Sequence, residues 1–262
     1  MNIFVCVKQV PDTETKIVPS GDGSFIETNS IKWIMNPYCE FAVEQALLVQ
    51  AANAGSTVTV VRVGSSKDTE ALRTAMAMGA DEAYLVEAGD NLDSYMIAKA
   101  LKGAIEKSGK TPDLILTGKQ AIDDDALQVP QVLATMLNLP SVSVVVGYEG
   151  SATDITVKRE VEGGTLEVYG VKLPAIIACN KGINTPRYAS LPGIMKAKKK
   201  PLTTISLADA GVTDADKRLK YSNFSLPPEK PPGKKYDATD AAKMASVVKE
   251  VVGLLRTEAK VI

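Results

Sequence analysis

The sequence predicts an α/β protein: a mostly parallel sheet flanked by helices, with an added β-hairpin and an extended C-terminal arm that ends in a helix. Three observations carry this. β-Branched apolar runs alternate with helix-like spacing through residues 3–146. The pattern changes to a Gly-Gly hairpin after Gly147, and a proline-rich stretch precedes a final amphipathic segment. βαβα alternation of this kind requires crossover helices and hence parallel strands buried on both faces.

The strand candidates are residues 3–7, 58–63, 83–86, 114–116 and 142–146. Helix candidates lie between them at 37–54, 67–78, 92–108 and 126–138, with apolar residues recurring at three- and four-residue spacing. Asn36-Pro37 reads as an N-cap followed by Pro at the first helical position. That leaves the Asn36 amide free to meet a ligand or a neighbouring loop. Residues 154–162 and 165–173 alternate around Gly163-Gly164, a hairpin signal. Residues 174–178 return as one more buried strand, and residues 180–195 read as loop. Pro227-Pro228 and Pro231-Pro232-Gly233 mark an extended arm, and residues 238–255 form the last helix.

Composition excludes several functions. The chain has 262 residues, 45% hydrophobic, and a net charge of −1, so no basic excess points to nucleic acid. No apolar run is long enough to span a membrane. A strand-like stretch directly after Met1 leaves no room for a signal peptide, and a cytoplasmic location is expected. Cys6, Cys39 and Cys179 are odd in number and far apart, which argues against a disulfide framework or a zinc site. The chain has no histidine. Triads built on histidine and two-histidine metal sites are therefore excluded, and no catalytic residue is assigned.

The segment Gly118-Lys119-Gln120-Ala121-Ile122-Asp123-Asp124-Asp125 follows the strand 114–116 and leads into the helix 126–138. A strand that delivers such a loop to a helix N-terminus is the local architecture of a nucleotide site. The three acids would repel a phosphate, so they are expected to cap the helix or to accept from ribose hydroxyls, Asp123 or Asp125 above all. Lys8, at the end of the first strand, reads equally as a solvated lysine or a phosphate counter-charge. Cys6 and Cys39 read as small buried hydrophobes.

Seven blocks in order resemble the β subunit of electron-transfer flavoproteins. They are Val5-Cys6-Val7-Lys8-Gln9-Val10, Met35-Asn36-Pro37-Tyr38-Cys39-Glu40, Ala75-Met76-Ala77-Met78-Gly79-Ala80-Asp81, the loop 118–125, the hairpin core Val157-Lys158-Arg159-Glu160-Val161-Glu162-Gly163-Gly164, Lys172-Leu173-Pro174-Ala175, and residues 186–200. The last opens Pro186-Arg187-Tyr188-Ala189-Ser190-Leu191-Pro192-Gly193-Ile194-Met195 and closes Lys196-Ala197-Lys198-Lys199-Lys200.

The resemblance implies a Rossmann-like, adenine nucleotide alpha hydrolase-like domain over residues 1–200, with 201–262 as an arm and helix docking on an α subunit. It implies a heterodimer in which FAD sits mainly on a mobile module of the α subunit and AMP sits in the β subunit as a structural ligand. Electrons would arrive from acyl-CoA dehydrogenase-type donors, as in fatty acid oxidation, and leave to an acceptor such as a quinone oxidoreductase. By position, nucleotide contacts would fall on Cys6, Asn36, Pro37, Tyr38, Cys39, Val63, Gly118, Lys119, Gln120, Ala121, Ile122, Asp123, Asp124, Asp125, Ala126, Leu127, Gln128 and Val129. Donor docking would fall on Arg187, Tyr188, Leu191, Pro192, Ile194, Met195 and Lys196, with Glu160 against the FAD module.

The chain departs from the family at Pro130, where members commonly carry Gly, and Pro removes an N–H donor from the phosphate's surroundings. Gln128-Val129 resembles electron-bifurcating members, which hold a second FAD in place of AMP; the acidic run and residues 186–200 resemble the AMP-binding members. AMP is the expected ligand and FAD the alternative. A third possibility is a stand-alone adenine-nucleotide protein of the universal-stress type, for which the arm and the basic loop would have no use.

Overall fold

The computed structural model describes residues 1–66, 69–89, 92–230 and 232–262. Its described part divides into two compact units, Met1–Phe224 and Ser225–Ile262.

In chain order the first unit contains β1 (Asn2–Cys6), β2 (Gln9–Pro11), β3 (Trp33–Met35), α1 (Pro37–Ala52), β4 (Thr57–Gly64), α2 (Glu70–Met78), β5 (Glu82–Glu87) and α3 (Ser94–Lys107). Then follow β6 (Leu114–Gly118), α4 (Val129–Leu137), β7 (Ser141–Gly150), β8 (Asp154–Glu160), β9 (Leu166–Lys172), β10 (Ala175–Cys179), α5 (Leu191–Ala197) and β11 (Leu202–Ser206). The main sheet runs β11-β5-β4-β1-β6-β10-β7-β8-β9, with β2 and β3 paired separately. Pairs from β11 to β7 are parallel, and β7-β8-β9 continue as an antiparallel hairpin edge. The expected α/β fold is therefore present, with its hairpin.

Period-two alternation sorts the sheet into two cores. Ile3 and Val5 face α1 and α2, whereas Phe4 and Cys6 face α3 and α4. β1 has β4 on one side and β6 on the other, so the strand order reverses beside it. In open α/β sheets that reversal leaves a crevice at the carboxyl ends of the strands.

Several boundaries differ from expectation, among them the last helix, which runs 241–257 instead of 238–255. α4 begins at Val129 rather than 126, because Asp125 and Leu127 adopt positive φ (47° and 53°) and interrupt the helical path. α2 begins at Glu70; the expected start at Lys67 lies outside the described residues. Residues 180–195 are not all loop: α5 starts at Leu191, with Ser190 Oγ accepting the Gly193 N–H at 3.2 Å. β11 pairs in parallel with β5, so residues 202–206 belong to the sheet and the first unit runs on to Phe224 instead of stopping at 200. In the second unit α6 (Ala241–Thr257) is capped by Asp240, whose carboxylate accepts the Lys243 N–H at 2.8 Å.

Candidate functional site

The crevice beside β1 is a cleft enclosing about 720 Å³ of space open to solvent. Cys6 enters from the end of β1 and Val7 and Lys8 from just beyond it, Val63 from β4, and Thr117 through Ala121 from β6 and the following loop. Ile97 and Leu101 of α3 form a wall with Leu127, Val129 and Pro130. The lining is mostly apolar with a few polar groups, the usual make-up of a small-molecule site.

Of the expected nucleotide contacts, Cys6, Asn36, Cys39, Val63, Gly118, Lys119, Gln120, Ala121, Asp124, Ala126, Leu127, Gln128 and Val129 line this cleft. Pro37, Tyr38, Ile122, Asp123 and Asp125 stand behind it. Pro37 opens α1, and Tyr38 lies beneath the Lys119 ammonium, 5.0 Å from the ring centroid. The Ile122 N–H donates to Asn36 Oδ1 at 3.1 Å. Asp125 accepts from the Gln120 side chain.

Asn36 makes no side-chain cap on α1. Its buried amide instead donates to the Gln120 carbonyl at 2.8 Å while accepting from Ile122, so it fastens the loop to the start of α1. Gly118 has a packing reason: a Cβ there would stand 2.8 Å from Tyr38 Cβ and 3.0 Å from the Cys39 nitrogen.

The acids do not cap α4, whose N-cap position is Gln128. Lys8 Nζ meets Asp123 Oδ1 at 2.8 Å and Asp124 Oδ2 at 3.1 Å. Burial works against the Lys8 charge, but the attraction and hydrogen bonds of the two carboxylates outweigh it and hold the ammonium above its ordinary value. Lys8 is thus neither simply solvated nor free for a phosphate. Asp124 also accepts the Ala126 N–H at 3.1 Å, and of the three acids it is the one that lines the cleft. Pro130 lies in the first turn of α4, where its missing N–H breaks no helical hydrogen bond but does remove one donor from the helix terminus.

Burial pushes the Cys6 thiol up to about 12, with Cys39 adding to the rise, and burial likewise raises Cys39 and Cys179. All three are neutral packing groups at neutral pH. The Thr117 hydroxyl is buried and has no hydrogen-bond partner in the protein. A buried hydroxyl left so costs about 1–3 kcal/mol, and its place on the cleft wall fits a polar ligand. Val7 and Thr117 line the cleft as strand ends, where the sequence places a ligand, but sequence reasoning missed Ile97 and Leu101. The last two, four apart on a buried helix face, carry no signal that separates cleft wall from core.

The expected docking segment surrounds α5. Tyr188 is 97% exposed, Leu191 74% and Met195 66%, an apolar tip; Ile194, Pro192 and Lys196 are exposed beside it. Arg187 has another employment: its guanidinium and backbone N–H engage the buried Glu44 carboxylate at 2.7, 2.8 and 3.1 Å. Lys200 is not a solvated lysine either, since its ammonium donates to the carbonyls of Met76, Gly79 and Ala80 at the end of α2. In return Arg73 of α2 donates to the Ala197 carbonyl at 2.8 Å, at the end of α5. Glu160, at the end of β8, accepts from Asn180 at 3.0 Å.

Among the described residues no helix is long and apolar enough to cross a membrane, and no cluster of three or more His, Cys, Asp or Glu side chains is placed to hold a metal ion. Fold and cleft together define an open, mostly parallel α/β protein with a crevice at the strand-order reversal. A family model described as the electron transfer flavoprotein domain matches residues 24–210. The electron transfer flavoprotein subunit beta of Bacillus subtilis is 41% identical over 267 residues, covering 100% of both chains. That of Bradyrhizobium diazoefficiens is 40% identical over 255 residues, 97% of this chain and 100% of its own. The Homo sapiens protein is 37% identical over 244 residues, 92% and 94% of the two chains. The chain belongs to the electron transfer flavoprotein family, as a β subunit.

Proposed function

We propose that the chain is the β half of a heterodimeric electron carrier, located in the cytoplasm, and that it holds AMP in the cleft beside β1 as a structural ligand. The observation that carries the nucleotide reading is the unpartnered Thr117 hydroxyl on an apolar-walled cleft at the strand-order reversal. Ile97, Leu101, Val63 and Val129 would enclose the base, Asp124 and Thr117 would meet the hydroxyls, and the first turn of α4 would face the phosphate. The redox chemistry is that of FAD, held mainly by an α subunit and flanked by the hairpin that carries Glu160. Residues 225–262 would form the arm that docks on that subunit.

Purification of the complex followed by nucleotide extraction tests this. One AMP and one flavin per heterodimer are expected; two flavins with no AMP would replace the reading with a bifurcating one. A stable, monomeric chain that needs no second subunit would favour a stand-alone nucleotide-binding protein.

The exposed tip of α5 suits a donor of the acyl-CoA dehydrogenase type, because a protruding Leu in a polar collar is a natural anchor for a pocket. Lys196, Lys198 and Lys199 are exposed around it and can steer an acidic partner. Leu191→Ala is expected to slow reduction by a donor dehydrogenase by about tenfold or more, as for an interface anchor, with nucleotide content unchanged. Stopped-flow rates equal to those of the unmodified protein would refute the docking role. An acceptor such as a quinone oxidoreductase would take the electrons onward.

A further inference from the structure

Asp93 is buried to 1% exposure at the N-cap of α3, and its two oxygens have separate duties. Oδ1 accepts the Met96 N–H at 2.9 Å, which is all that a helix cap requires. Oδ2 accepts the backbone N–H of Leu219 at 2.8 Å and that of Arg218 more closely still, from a segment 125 residues further along. The surroundings repeat this attachment. The Arg218 guanidinium lies over the Tyr95 ring at 4.8 Å, and Lys99 Nζ meets Asp216 at 2.7 Å. Residues 213–219 are thus fastened along the first turns of α3.

A second fastening follows at the end of the unit. The Phe224 N–H donates to the Gly23 carbonyl at 2.9 Å, and its ring meets Phe25 edge-on with centroids 5.7 Å apart. Phe224 is the last residue of the first unit. Between the two anchors the chain spans at most about 17 Å, even fully extended. Ile97 and Leu101, one and two turns beyond Asp93, are the α3 side chains that wall the cleft.

We propose that Asp93 is a positioning residue: its second oxygen ties residues 218–219 to the helix that walls the cleft, so the first unit itself holds the stretch of chain that leads into residues 225–262. The proposal rests on the reading above only in taking those residues as the partner-docking arm. A carboxylate is what the position needs. Asn in its place would keep one capping oxygen but aim an amide donor at two N–H groups. Burial alone would raise the Asp93 carboxyl, yet the N–H groups of Met96, Arg218, Leu219 and Tyr95 outweigh it and hold the group below the ordinary aspartate value.

Asp93→Asn in the full chain, co-expressed with its α subunit, separates the two duties. Tryptic cleavage after Lys217, Arg218 and Lys220 is expected to quicken by about tenfold or more, the loss of charge-assisted hydrogen bonds to a local opening, while cleavage after the exposed Lys198 and Lys199 is unchanged. Lys99→Met, which removes only the neighbouring ion pair, is expected to change it by less than about threefold. Equal effects of the two variants, or no effect of Asp93→Asn, would overturn the proposal. Hydrogen exchange of the unmodified complex gives an independent reading: the Arg218 and Leu219 amides should be protected like those of α3, and exchange at open-chain rates would also overturn it. Nucleotide content of the same samples is scored separately, so a missing AMP removes the nucleotide assignment without touching this result.

Discussion

Gly118→Ala is expected to destabilise the protein by about 2 kcal/mol, the cost of forcing a methyl into a filled space, and to lower the content of the nucleotide proposed above at least as strongly. The new Cβ would stand 2.8 Å from Tyr38 Cβ, 2.9 Å from the Tyr38 carbonyl carbon and 3.0 Å from the Cys39 nitrogen. Two of those atoms are backbone in the first turn of α1, so no rotamer change relieves the overlap and the helix start must move. Asn36 sits immediately before that turn and carries the hydrogen bonds to Gln120 and Ile122. Displacing it detaches the loop that forms one side of the cleft. A urea melt together with nucleotide extraction checks both effects, and a variant that melts normally and keeps its nucleotide would show that α1 can yield.

Arg187→Ala is expected to cost about 2 kcal/mol by leaving a buried carboxylate without its partner. The Glu44 side chain is 7% exposed, and the Arg187 fork supplies two of the three contacts that satisfy it. Burial alone would raise the Glu44 carboxyl, but the Arg187 side chain and backbone N–H reverse this and hold it below its ordinary 4.5. A depressed carboxyl stabilises the fold above its unfolded-chain value and loses that contribution as pH falls through the folded value. Without the guanidinium only the backbone N–H opposes desolvation, so the group rises and its charge stabilises the fold less at neutral pH. The gap between variant and parent should therefore be widest at neutral pH and narrow as pH falls below 4.5. Melts at about pH 7 and about pH 4 test the sign, and a gap that widens on acidification would contradict it. Arg187→Lys should restore only part of the loss, because an ammonium cannot reproduce the two-pronged contact.

The sheet was legible in the sequence because its strands are continuous β-branched runs buried on both faces, and its crossover helices show three- and four-residue spacing. β11 and α5 were not. Leu202–Ser206 is half-exposed at the sheet edge, and Leu191–Ala197 is a seven-residue helix with apolar side chains exposed, so neither carries the periodicity of a buried element. The cleft was largely legible through strand ends, yet the roles within it were not. Asp123, Asp124 and Asp125 look alike in the sequence, and only the fold brings Lys8 to the first two and Gln120 to the third. Arg187 and Lys200 read as surface cations for a similar reason. Their partners, Glu44 and the carbonyls at the end of α2, lie more than a hundred residues away.

The reciprocal fastening of α2 and α5 bears on the speed of encounter. With Lys200 on the last carbonyls of one helix and Arg73 on the last carbonyl of the other, the two ends are clamped without using the outward side of α5. Leu191 and Met195 are therefore displayed on an element whose two ends are already fastened, with Tyr188 in the loop before it. A surface prepared in this way loses little conformational freedom on contact. In the docking role proposed above, such a surface would discriminate among partners by shape while each contact stays brief, as a shuttle between proteins requires.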